Sequence, residues 1–289
     1  MTDSPSATLF DRIVVVDWSA ANSPKTGADS IWIADSHGLT LNPATRDAAM
    51  IAVETVMEAS RIRRERLLIG WDFAFGYPAG FAAGLGLSGW DGVWAWLHDR
   101  VEDGPDNRSN RFAVAARANR VLGSADGPFW GHVGRDLPQG LSAKRYPDGT
   151  KGDWPYAFGY LRAAERRLPS ASPVFKLAYT GSVGSQALLG IARLEGLRRR
   201  HADRIAVWPF ETGFADALAA PVVMAEIYPS AHCVPDGPDV KDRRQVEAVL
   251  RDFQLWNDSG RMRDALSAPG LAGAERRAVM REEGWVVGL

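Results

Sequence analysis

The sequence of 289 residues has one cysteine, Cys233. A single thiol excludes an intramolecular disulfide framework and a cysteine-rich zinc site, and it fits a reducing, cytoplasmic setting. No run of about 18 apolar residues occurs, so no membrane-spanning helix and no membrane partner are expected. The first residues, MTDSPSATLFDR, lack a basic segment followed by a long apolar one, so no signal peptide is expected. The net charge of −1 excludes coating of nucleic acid by bulk positive charge, while a local basic groove stays open. His37, His98, His132, His201 and His232 show no HExxH spacing, which argues against a zinc hydrolase. No Gly-x-Ser-x-Gly elbow is present, which argues against a serine hydrolase. There is no internal repeat and no low-complexity block.

Hydrophobic content is 46% and charged content 24%, so a sizeable packed core is expected. The 11 tryptophans either stiffen that core or line a groove; composition does not choose. Residues 1–10 read as a disordered tail and 11–289 as one domain, with an insertion at about 74–172. RIVVVDW (12–18), SIWIADS (30–36), LTLN (39–42) and RLLIGWDF (66–73) read as strands, being short, rich in β-branched residues and bounded by polar ones. Residues 45–66 show a largely 3.6-residue apolar period behind an N-cap candidate, Thr45, and read as a helix. The insertion is rich in Gly and Pro, with helices at 90–101 and 111–122 and a long ordered loop at 123–157. Beyond it, 174–180, 204–210 and 221–230 read as strands and 186–202 as a helix. Helices at 240–256, 259–267 and 272–283 precede a last strand at 284–288. The class is α/β.

Three carboxylates share one context. Asp17, Asp72 and Glu226 each follow an apolar run at or near the C-terminal end of a predicted strand. In open α/β sheets, ligands bind outside those strand ends. If the strands are neighbours, the three acids converge and repel, and a divalent cation resolves the conflict. Mg²⁺ or Mn²⁺ suits carboxylate oxygens and leaves room for water and a substrate phosphate. The competing reading is that such an aspartate caps the following turn through an Asx bond. A fourth acid is expected from Asp239, Asp242, Asp258 or Asp264, with Asp242 chosen as a catalytic candidate. Asp239 and Asp242 are also explained by helix-start electrostatics alone. Glu54, on the apolar side of the first helix, is a further candidate.

The phrases VVVDWSA and LLIGWDFAFGYP, with the hairpin and helix between them, resemble the start of the ribonuclease H-like fold. More narrowly, TGSVGSQALLGIARLEGLR, VWPFETGF, AEIYPS and EEGWVVG resemble the DUF429 group, a bacterial family of predicted nucleases. The resemblance covers about residues 11–289. It implies a mixed sheet flanked by helices, interrupted here by the loop-rich insertion. It also implies metal-binding roles for Asp17 and Asp72, a site role for Glu226, and a nucleic acid or nucleotide as substrate.

Other stretches suit phosphate. YTGSVGSQ (179–186) offers Gly181, Ser182, Gly184, Ser185 and Gln186 at a helix start, where backbone N–H groups bind anions. A tight turn with Ser185 as N-cap explains it equally. Ser19 and Lys25 lie in the small-residue loop after Asp17, and Lys241 opens a C-terminal helix. In the actin-like and sugar-kinase relatives of the fold, the loop matching Ser19–Lys25 contacts nucleotide phosphates, so a phosphotransferase is the rival reading. A non-catalytic binding protein is the third. Arg108, Arg111, Arg117, Arg120, Trp130, Arg135, Lys144, Arg145, Tyr146, Lys151, Trp154 and Tyr156 interleave charge with aromatic faces, as single-stranded nucleic acid requires. Asp103, Asp106, Asp126, Asp136, Asp148 and Asp153 offset that charge, so a solvated face explains it too.

Overall fold

A computed structural model of the chain describes residues 8–124, 127–145, 154–214 and 219–289. Among these residues six strands form one mixed sheet in the order β3-β2-β1-β4-β6-β5. They are β1 (Arg12–Asp17), β2 (Trp32–Asp35), β3 (Thr40–Leu41), β4 (Leu67–Trp71), β5 (Ile205–Val207) and β6 (Val222–Glu226). β1, β2 and β3 pair antiparallel; β4, β6 and β5 add to β1 in parallel. β1, β4 and β6 are buried on both faces, which is why they read as continuous apolar runs rather than alternating ones.

The helices are α1 (Arg46–Arg63), α2 (Phe81–Gly84), α3 (Gly89–His98), α4 (Arg111–Val121), α5 (Ala163–Arg167), α6 (Gly184–Arg200), α7 (Lys241–Asp258), α8 (Met262–Ser267) and α9 (Gly273–Ala278). Thr45 caps α1 as expected, its hydroxyl accepting from the Ala48 N–H. Val14, Val16, Ile69 and Trp71 face α1, α3 and α6 in one core. Ile13, Val15, Leu68 and Val223 face Val246, Val249 and Phe253 of α7 in a second. The alternation of side chains along the strands thus assigns each residue to one of two layers. No described helix is long and apolar enough to cross a membrane.

The tryptophans serve the core: Trp18, Trp71, Trp94, Trp208 and Trp285 are fully buried. Trp18 meets Trp71 edge to face, 5.7 Å between ring centres, directly beneath the strand ends that carry Asp17 and Asp72.

Four expectations are corrected. Leu9 and Phe10 are not tail: both are buried, and their N–H groups donate to Asn257 Oδ1. Residues 1–7 lie outside the described residues. Residues 174–180 form no strand. Pro173 starts a turn there, Lys176 makes only a single bridge to Trp130, and Tyr179 has φ of 76°. The closing GWVVG contributes one bridge, Val286 to Glu226, because the chain has just left a π-helical turn at Val279–Glu283. The predicted helix over 272–283 divides at that turn. Within the loop at 123–157, Phe129 and Leu141 are buried. Asp126, Tyr146, Asp148, Lys151 and Asp153 lie outside the described residues.

Candidate active site

β1 and β4 pair with Val16 opposite Trp71, so the next residues, Asp17 and Asp72, leave the sheet side by side. The Asp72 N–H still donates to Val16 O at 2.9 Å, which fixes that register to the last residue. By alternation both carboxylates lie on the α7 side, two residues beyond Val15 and Gly70. α7 packs across β1 and β2 and brings Asp242, in its first turn, toward both. Asp242 Oδ2 also accepts from the Asp29 N–H at 2.5 Å, tying the start of α7 to the β1–β2 loop.

Asp17 and Asp72 keep part of their surface open, but their carboxyl groups are closely surrounded by protein. Burial pushes the Asp17 carboxyl well above the ordinary range, and the charges of Asp72, Asp242 and Asp29 push it further. Burial first, then Glu226 and Asp242, push Asp72 up to about 7. Neither carboxylate accepts a hydrogen bond from a described residue. The Asx-cap reading of Asp17 therefore fails: the Ala21 N–H donates to Ser19 Oγ instead, at 3.2 Å.

Glu226 also ends its strand, but it sits opposite Trp71, one position out of phase with Asp72. Its carboxylate is engaged. Arg162 Nη1 and Nη2 donate to its two oxygens at 2.8 and 2.6 Å, and the Phe75 N–H donates at 2.9 Å. Arg162 also pairs with Glu165 and donates to Glu283 O, all of it buried. A carboxylate held by three donors is a poor ligand for a cation. The structure gives Glu226 the role of binding the insertion to the sheet. Among the described residues no group of three or more His, Cys, Asp or Glu side chains could hold a metal ion. The carboxylate edge is thus a pair with a third acid nearby, not a closed cage.

Beside this edge runs a cleft of about 530 Å³. Ser19, Lys25, Gly181, Ser182, Ser185 and Gln186 all line it, although two separate stretches supply them. Gln186 Nε2 donates to Trp18 O at 2.6 Å, so the start of α6 is fastened next to Asp17. Ser185 is not the N-cap: its hydroxyl donates to Leu177 O at 2.7 Å, and Val183 holds the cap position. Gly184 is needed for packing, since a Cβ there would lie 2.4 Å from Val174 O. Lys25 pairs with Asp29 at 3.4 Å. Lys241, Asp239, Asp258 and Asp264 are exposed, and Glu54 pairs with Arg200 and His201 away from the edge.

Comparison of the chain with protein-family models, with curated proteins and with solved structures finds no match. The sequence alone did not point to Arg162, whose one local signal is Glu165 three residues on; it named Arg111 only within the interleaved basic and aromatic set, without distinguishing it from its neighbours.

Proposed function

We propose that this chain is a divalent-metal-dependent phosphodiester hydrolase, a nuclease by class, on a ribonuclease H-like fold. The fold reading is supported by three antiparallel strands, a helix and a parallel strand, with acids at the ends of the first and fourth strands. The resemblance to the DUF429 group belongs to the same reading. The observation that carries the function is the pair Asp17 and Asp72: adjacent, closely surrounded by protein, and with no hydrogen bond to either carboxylate from a described residue.

Such a pair fits Mg²⁺ or Mn²⁺, which commonly takes one or two protein carboxylates and completes its shell with water and substrate phosphate. Asp17 and Asp72 would hold the ion, and Asp242 is the third acid in reach. The ion would supply an activated water and neutralise charge at the phosphorus. The chain's own residues do the rest. Trp18 and Trp71, packed on the opposite face of the sheet, stiffen the ends of β1 and β4 from which the two carboxylates leave. Arg162 holds both oxygens of Glu226 and so keeps that side chain out of the metal-binding pair. The polar cleft beside Asp17 receives the substrate. A phosphotransferase would use Lys25 on a phosphate, and its pairing with Asp29 weakens that reading.

Calorimetry with Mn²⁺ tests this. Saturable binding to the native protein, lost in Asp17→Asn and kept in Glu226→Gln, together with Mn²⁺-dependent cleavage of a single-stranded oligonucleotide, is expected. Native protein that binds no Mn²⁺ overturns it.

A further inference from the structure

Four arginines are buried among the described residues: Arg12, Arg46, Arg111 and Arg162. Three have carboxylates. Arg12 pairs with Asp35, Arg46 with Asp103, and Arg162 with Glu165 and Glu226. Arg111 has none. It is 9% exposed, and its partners are neutral: Nε donates to Ser185 Oγ at 3.1 Å, Nη1 to Asn22 Oδ1 and Ser109 Oγ at 2.9 Å each. Its Nη2 donates to no described residue. A buried cation without a counter-charge is costly, and a fold retains one where an anion arrives from outside. Burial first, then the Arg46 charge, hold its pKa down to about 10 against a smaller opposing pull from Asp103, so it is charged at neutral pH.

Arg111 lines the cleft beside Asp17. Ser109, Asn22 and Ser185 take three of the five guanidinium N–H donors and leave the two on Nη2, which suit phosphate oxygens as acceptors. The opposite wall is apolar and open. Val133 is 75% exposed and Tyr179 46%, while the single Tyr179 hydroxyl proton, within reach of both His132 O and Ala143 O, anchors its ring. Phe112 lies beneath the arginine, 4.5 Å from its guanidinium carbon to the ring centre.

We propose that Arg111 is the phosphate anchor of a nucleotide-binding cleft, with the base lying on the Tyr179–Val133 wall. The proposal rests on the hydrolase reading for its place in a reaction, because it sets one phosphate of the chain beside the carboxylate pair. Binding at Arg111 itself needs no metal.

The test is therefore made in EDTA, by fluorescence anisotropy with a labelled single-stranded dT10 and by calorimetry with AMP. The native protein is expected to bind dT10 with affinity that falls as salt rises. Arg111→Met is expected to lose about tenfold or more in affinity. Its melting temperature should hold or rise, because an uncompensated charge has been removed. Val133→Glu, at an exposed loop position, is expected to weaken binding without touching the arginine. Binding of AMP as well as dT10 assigns the site to a single nucleotide; binding of dT10 alone assigns it to a strand. Native-like affinity in Arg111→Met, or no binding of either probe by the native protein, overturns the proposal. Mn²⁺ titration of Arg111→Met keeps the two readings apart: intact Mn²⁺ binding with no nucleotide bound by the native protein rejects the cleft and leaves the metal pair standing.

Discussion

Asp72 is the residue at which stability and the proposed metal binding oppose each other. Its carboxyl titrates near 7 in the fold and near 4 in an unfolded chain. Between those values the folded protein holds a proton that the unfolded chain has released. Stability of the metal-free protein therefore falls as pH rises from about 4 to about 7. Asp72→Asn removes the share of this dependence that Asp72 contributes, while Asp17, also raised by burial, keeps its own. Metal-free thermal melts at pH 8 should show the variant more stable by roughly 2 to 4 kcal/mol. The same variant should lose Mn²⁺ binding. Glu226 is held differently, by the buried Arg162 that it shares with Glu165. Glu226→Gln leaves Arg162 paired with Glu165 but weakens two charged hydrogen bonds, and should cost about 1.5–3 kcal/mol. Denaturant unfolding reads the loss, and Mn²⁺ calorimetry should show the binding retained. A variant that folds as well as the native protein but loses the metal would make Glu226 a ligand after all.

Between elements, the joints are buried ion pairs. Arg46, at the start of α1, is fully buried and holds Asp103 in the loop between α3 and α4, while Arg193 of α6 holds the same carboxylate. Arg46 Nη1 also donates to Ser19 O and Ala21 O, so this joint shapes the cleft wall beside Asp17. Burial alone would raise the Asp103 carboxyl, but the bonds from Arg46 and Arg193 outweigh it and hold it below the usual range. Its contribution is present at pH above the ordinary carboxylate value and is lost as pH falls through the lowered one. Asp103→Asn should destabilise the protein by about 3 kcal/mol at pH 7 and by much less at pH 3, in melts across that range. Such joints explain what the sequence could and could not tell. β1, β4 and β6 were legible because apolar β-branched runs need only local periodicity, and Thr45 because a cap is a local bond. Asp17 and Asp72 were legible as strand-end acids. That Glu226 is out of phase with Asp72 depends on strand register, and its partner Arg162 is 64 residues distant. Arg111 looked like its exposed neighbours, since only tertiary packing removes its counter-charge.

Across the whole molecule, the repelling acids sit at one edge while stability is gathered elsewhere. The aromatic core, the Arg162 network joining insertion, β6 and C-terminal turn, and α7 packed over β1 hold the carboxylate edge in place against its own repulsion. A cation at that edge relieves the repulsion for the entire fold, because binding to the folded state alone stabilises it by mass action. Binding must also displace the proton that Asp72 retains below pH 7. Two consequences can be measured together. At 100 times its dissociation constant, Mn²⁺ should add about 2.7 kcal/mol, which for a chain of this size is a melting shift of roughly 5–10 °C. At a fixed Mn²⁺ concentration that shift should be larger at pH 8 than at pH 5.5. Calorimetry near pH 6 in buffers of different ionisation enthalpy should report release of protons on binding. A shift equal at both pH values, with no proton released, would mean that the ion binds away from Asp72.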